Sequence, residues 1–227
     1  MVAILTPIGF AAQDEHITII CHLYASDIWS RAKHATEGVR LLSTLTVGLL
    51  GCGGIGKIVA EHCKAMGMTV WGMTRTPVDE SRRCDAVDVY RTTDRLPELL
   101  AVCDYVVNIL PSTKETTDLL SGGILSNCRE RKSYFINIGR GDVVSEDSLV
   151  EAINKNWISG AALDVCKEEP LPQESRLWSL PNVLVTPHVA WRSNTLVQDH
   201  ASAFAENYKR FIEGDPLIDE YFLDQPY

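Results

Sequence analysis

Thr46-Val47-Gly48-Leu49-Leu50-Gly51-Cys52-Gly53-Gly54-Ile55-Gly56 joins a short apolar run to a G-x-G-x-x-G spacing, and a helical pattern follows it. The three parts predict a strand, a tight turn and a helix, the opening of a βαβ unit that holds a dinucleotide. Each glycine serves a separate need, Gly51 for the tight turn, Gly53 for close approach of backbone to a pyrophosphate, Gly56 for packing helix on strand. Gly54 and Ile55 open the helix, whose first amides lack an acceptor within the helix and can receive phosphate oxygens. Glycines in a turn also have a purely structural explanation. The strand before these and the apolar stripe after them favour the binding one.

From Leu45 onward, short apolar runs alternate with helical stretches, which predicts an α/β fold built on a Rossmann-type, doubly wound parallel sheet. Strands are expected at Thr46 to Leu50, Thr69 to Met73, Tyr105 to Leu110, Tyr134 to Ile138, Ala161 to Val165 and Val183 to Thr186. Most are apolar throughout, as strands covered on both faces are. Ile55, Ile58, Val59, Cys63 and Met66 fall on one helical face, expected to close on the sheet. Ser145, with Glu146 and Asp147 after it, reads as an N-cap with an acidic first turn, opening a helix toward Trp157 that Gly160 stops. A last helix is expected from about Thr195 to Ile212, ended by Gly214 with Pro216 beyond.

The chain therefore divides into residues 1–44, a mostly helical segment; 45–190, the dinucleotide-binding domain; and 191–227, a helix and tail. Within the first segment Ile17 to Leu23 fits either a strand or a helix, and Ser30 to Leu42 reads as helical. Its apolar residues have no clear partner among themselves. They are expected to pack on the main domain or on a second subunit.

Composition narrows the function classes. With 227 residues, 45% of them apolar, the sequence suits a globular protein with a filled core. A net charge of −9 gives no overall attraction to nucleic acid or to an anionic membrane, so neither is expected as a partner. Seven cysteines without a C-x-x-C pair suggest reduced, mostly buried fillers rather than a disulfide framework, and no metal site is read from them. Met1 to Ala12 is apolar but lacks a basic start, contains Pro7 and runs into Asp14 and Glu15, so it is not read as a secretory signal. With no apolar run long enough to span a bilayer, the default expectation is a cytoplasmic protein.

The end of the second strand carries the cofactor choice. Proteins that prefer NAD place a carboxylate there to bond the ribose 2′-hydroxyl. This chain has Thr74-Arg75-Thr76 instead, so Arg75, helped by the two hydroxyls, could neutralise a 2′-phosphate. NADP(H) is favoured and NAD(H) remains possible; the alternative is a solvated loop arginine.

Three further segments follow in order: Asn137-Ile138-Gly139-Arg140-Gly141, Asp164-Val165 with Glu168-Glu169-Pro170 after it, and Pro187-His188-Val189-Ala190. With these, and with Leu110-Pro111-Ser112-Thr113-Lys114-Glu115-Thr116 after a strand, the sequence resembles the D-isomer-specific 2-hydroxyacid dehydrogenases over roughly residues 45 to 227. Among them it is most similar to the glyoxylate/hydroxypyruvate reductases. The resemblance implies that His188 is the general acid, that Glu169 hydrogen-bonds the imidazole and keeps it protonated, and that Arg140 holds a substrate carboxylate. It also implies cofactor contacts from Leu110, Pro111, Thr116, Ile138, Gly139, Arg140, Asp164 and His188. Asp164 would lie near the nicotinamide ribose or amide, or would simply cap a strand end.

Taken singly, Arg140 reads as a turn residue, Glu169 as a loop carboxylate and His188 as a core histidine. Their joint occurrence at strand ends, where open α/β sheets bind ligands, reverses that reading. The reaction implied is NADPH-dependent reduction of a small 2-oxoacid, glyoxylate or hydroxypyruvate, by a homodimer. Family members carry a substrate domain built mainly from about their first hundred residues, and this chain matches only remnants of one. The alternative is a catalytically weak or inactive, dimerising dinucleotide-binding module.

Overall fold

A computed structural model describes residues 40–218. The elements expected before residue 40, the tail from residue 219 and Cys21 lie outside the described residues. Seven strands form one parallel sheet in the order β3-β2-β1-β4-β5-β6-β7. They are β1 (Thr46–Leu50), β2 (Thr69–Thr74), β3 (Val89–Thr92), β4 (Tyr105–Asn108), β5 (Tyr134–Asn137), β6 (Gly160–Leu163) and β7 (Val183–Val185). Helices α1 (Gly54–Ala65), α2 (Leu96–Val102) and α3 (Glu146–Asn154) connect them, and α4 (Leu196–Glu213) follows the sheet. The chain divides into two compact units, one ending at His188 and one beginning at Val189.

Alternation along the strands explains the two-sided core. Val47 and Leu49 of β1, Tyr105 and Val107 of β4, and Tyr134 and Ile136 of β5 pack with Val59 and Cys63 of α1. Leu50, Val106 and Phe135 point to the opposite face, where Leu99 and Leu100 of α2 and Leu149 and Ile153 of α3 cover them. Because successive side chains alternate between faces and both faces are covered, most residues of a central strand are apolar, which is why those strands were visible in the sequence. The edge strand β3, Val89-Tyr90-Arg91-Thr92, is half-buried throughout and has no such run. The sequence pattern did not mark it.

Several boundaries differ from expectation for identifiable reasons. β4 stops at Asn108 and β5 at Asn137, two residues and one residue early, because side-chain amides there take over the hydrogen bonding of the backbone beyond. The helix opened by Ser145 is capped as expected, the Ser145 hydroxyl accepting from the Ser148 amide, but it ends at Asn154. Gly160 does not stop it; that residue is the first of β6. In α1 the buried residues are Gly56, Val59, Ala60 and Cys63, whereas Ile55 and Ile58 are exposed. A β-carbon on Gly56 would stand 2.1 Å from the Gly51 carbonyl oxygen. That contact fixes the inward face on the glycine and turns Ile55 and Ile58 outward.

α4 runs from just after Thr195 to a left-handed Gly214 cap, as the sequence predicts. None of its residues is buried. No helix among the described residues is long and apolar enough to cross a membrane.

Candidate active site

In a parallel sheet all carboxyl ends lie along one edge, so loops far apart in sequence converge there. The order of strands reverses between β1 and β4, the position at which open α/β sheets bind ligands. After β1, Gly51 adopts φ +105° and its amide donates to the Met73 carbonyl of β2, which only a residue without a β-carbon does easily. Gly53 is the N-cap of α1. A β-carbon built on Gly53 or Gly54 would meet nothing within 4 Å, so backbone and first-turn amides of α1 face open space. Such a surface fits a pyrophosphate, which needs unobstructed amides at a helix N-terminus.

After β2, Thr74 is half-buried and its hydroxyl donates to the Thr76 carbonyl, while Arg75 and Thr76 are exposed. On the other side of the strand-order reversal, the loop after β4 holds itself in shape: the Thr116 hydroxyl donates to the Pro111 carbonyl at 2.7 Å and accepts from the Thr113 amide at 2.8 Å. Glu115 in this loop is fully exposed, and its carboxyl is held below the usual range by backbone and Thr113 hydrogen bonds and by the charges of Arg75 and Lys114. Leu110 and Pro111 are half-buried beside it.

After β5, Ile138 is half-buried, Gly139 is buried and Arg140 is exposed. The Arg140 guanidinium donates to the Gly139 carbonyl at 2.7 Å, turning back on its own loop. Beneath this turn lies a polar contact that motif reading missed. Asn108 and Asn137, 0% and 1% exposed, join through their side-chain amides at 2.8 Å. The only signal for Asn108 was an amide closing an otherwise apolar strand.

After β6 and β7 a cleft of about 560 Å³ opens, within the usual size range of small-molecule sites. Pro170, Leu171, Trp178 and Val185 form apolar walls, and Asp164, Glu169, Thr186 and His188 supply polar edges. His188 Nδ1 lies 2.8 Å from Glu169 Oε2, and the other Glu169 oxygen accepts from the Cys166 amide at 3.0 Å. Both side chains remain partly exposed. Buried Asp164 accepts from the Thr186 hydroxyl, and its backbone carbonyl accepts from the His188 amide at 2.9 Å. Burial, with the charges of Glu169, Glu146 and Asp164, pushes the Cys166 thiol up to about 11, so it stays protonated.

The structure thus brings Asp164, Glu169 and His188 together around one cleft. Arg140 stands at the neighbouring strand end and does not line it. The glycine loop and Thr74 to Thr76 lie further along the same edge, past the reversal of strand order.

A parallel, doubly wound sheet with this glycine turn is a dinucleotide-binding domain of the Rossmann class. More narrowly, the chain belongs to the D-isomer specific 2-hydroxyacid dehydrogenase family, whose NAD binding domain matches residues 16–190. It is 38% identical to glyoxylate/hydroxypyruvate reductase A of Enterobacter sp. (strain 638) over 146 residues, 64% of this chain and 45% of that one. The chain spans about half the length of the curated relatives it matches. Among solved structures it resembles a D-isomer specific 2-hydroxyacid dehydrogenase from Xanthobacter autotrophicus Py2 in complex with NADPH and MES (TM-score 0.72, 32% identity, 93% of this chain and 87% of that one). It also resembles an NADPH-dependent glyoxylate/hydroxypyruvate reductase from Sinorhizobium meliloti in complex with NADP and sulfate (TM-score 0.70, 29% identity, 92% and 68% covered).

Proposed function

We propose that this chain is the cofactor-binding and proton-donating part of an NADPH-dependent reductase of small 2-oxoacids such as glyoxylate or hydroxypyruvate. The His188–Glu169 pair at the rim of a cleft, on the sheet edge that carries the glycine turn, is the observation that supports this reading. The names of the relatives add the substrate class. NADPH, when bound, supplies the hydride.

The chain's own residues do the rest. The amides of Gly53, Gly54 and Ile55 receive the pyrophosphate, and Arg75 neutralises the 2′-phosphate. The loops at Leu110 to Thr116 and Ile138 to Arg140, with Asp164, shape the floor for the nicotinamide half. With Nδ1 engaged by Glu169, the proton given to the carbonyl oxygen is the one on Nε2 of His188. Glu169 orients the ring for that transfer. Arg140 swings from the Gly139 carbonyl to hold the substrate carboxylate. The working unit is a cytoplasmic homodimer.

The test is the initial rate of NADPH oxidation with each oxoacid, beside a His188→Asn control that retains NADPH binding. Turnover lost in the control supports the reductase. NADPH binding without turnover in the unaltered chain favours a dinucleotide-binding module, which the partial coverage of its relatives allows.

A further inference from the structure

We infer that Asn108 and Asn137 are positioning residues: as one hydrogen-bonded unit they set the spacing of the loops after β4 and β5 that receives the nicotinamide half of the cofactor. This rests on the function proposed above. The two residues are register partners at the carboxyl ends of adjacent strands, so their side chains meet where the ladder ends. Asn108 Nδ2 donates to Asn137 Oδ1 at 2.8 Å. Asn108 Oδ1 accepts from the Leu110 amide at 3.3 Å, which fixes the first residues of one loop. Asn137 Oδ1 also accepts from the Gly139 amide at 3.2 Å, and Asn137 Nδ2 donates to the Arg140 carbonyl at 3.0 Å, which fixes the other.

The two amides therefore spend their hydrogen-bonding groups on one another and on both loops. Burying such groups is costly unless they are satisfied, so an arrangement that satisfies them is a stiff one. Gly139 completes the unit. A β-carbon there would stand 2.7 Å from the Leu110 carbonyl oxygen and 2.8 Å from Asn108 Nδ2, so the loops touch through backbone. Because the dinucleotide lies across the reversal of strand order, its adenosine half belongs over β1 and β2 and its nicotinamide half over β4 to β6. The unit lies wholly under the second half.

That placement gives a test that needs no turnover. The full chain, its Asn137→Asp and Asn137→Ala variants and the double Asn108→Ala/Asn137→Ala variant are titrated calorimetrically with NADPH and with 2′,5′-ADP, which carries the adenosine and 2′-phosphate but no nicotinamide. Asn137→Asp keeps the size and the Oδ1 acceptor but sets an oxygen in place of the donor to the Arg140 carbonyl, so it breaks that bond without opening a cavity, and a thermal melt of each variant checks that it folds. The expected result is NADPH binding weakened about tenfold, the equivalent of one misplaced hydrogen bond, with 2′,5′-ADP binding unchanged within about twofold. The double alanine variant should bind NADPH no more weakly than Asn137→Ala alone, since a unit is lost once. Equal weakening of both ligands would mark a merely structural role and overturn the inference, as would unchanged NADPH binding. An unaltered chain that binds neither ligand defeats the reductase reading itself, and this inference with it.

Discussion

His188 holds a left-handed backbone, φ +52°, at the turn where its amide donates to both the Asp164 and Thr186 carbonyls. Histidine, asparagine and aspartate tolerate that conformation better than other residues carrying a β-carbon. His188→Asn is therefore expected to keep the melting temperature of the parent while lowering oxoacid reduction by about a hundredfold or more, read by thermal denaturation and steady-state rates. His188→Ala should lose the same activity and some stability besides. At the other end of the edge, Arg75→Ala is expected to weaken NADPH about tenfold or more and NADH little, because one charge-assisted contact is removed from the 2′-phosphate alone. Equal losses for both nucleotides in a binding titration would place the 2′-phosphate elsewhere.

Elements show why much of the fold could be read from the sequence and why some of it could not. The central strands announce themselves because both faces are covered, and Gly51 to Gly56 announce the turn because their spacing is set by backbone contacts. β3 is silent because an edge strand needs no apolar run. The period of Ile55, Ile58, Val59 and Cys63 is genuinely helical, yet the face that meets the sheet is chosen by Gly56, a residue with no hydrophobicity to detect. Glu169 and His188 were legible from their segments, whereas the Asn108–Asn137 contact depends on strand register, which no local pattern encodes.

One element contact makes a pH prediction. Asp88, just before β3, accepts from the Val70 amide of β2 and from Lys64 of α1. Burial acts to raise its carboxyl, but these hydrogen bonds and the Lys64 charge outweigh it and hold the group below its ordinary value of 3.8. A carboxyl lowered by folding stabilises the fold above the ordinary value, and that stabilisation is lost as pH falls through the folded one. Asp88→Asn should therefore cost less than about 1 kcal/mol at neutral pH, the pair being partly exposed, and should flatten the acid limb of stability below about pH 4, measured by urea denaturation.

Across the molecule, burial governs five of the described thiols. It pushes Cys52 up to about 12 and Cys63, Cys128 and Cys166 to about 11, and it raises Cys103 as well. These thiols are expected to resist alkylation at pH 8 in the native protein and to react readily once it is denatured, as peptide mapping by mass spectrometry would show. Among the described residues, Val197, Phe204, Tyr208, Phe211 and Ile212 of α4 are all exposed. Replacing Phe204 and Phe211 with glutamate should lower concentration-dependent association in light scattering if this face pairs with a second copy.

The position of β1 also bears on how the chain is made. Its left-hand neighbour begins at Thr69, but its right-hand neighbour begins only at Tyr105, with all of β2, β3 and α2 synthesised in between. A ribosome therefore releases the central strand long before its second edge can be covered. Parallel pairings at such separations form slowly, since each must close a long loop before any contact rewards it. The nascent chain therefore passes through a stage with one unpaired β edge in its future core, a stage at which an unpaired edge is open to wrong pairing.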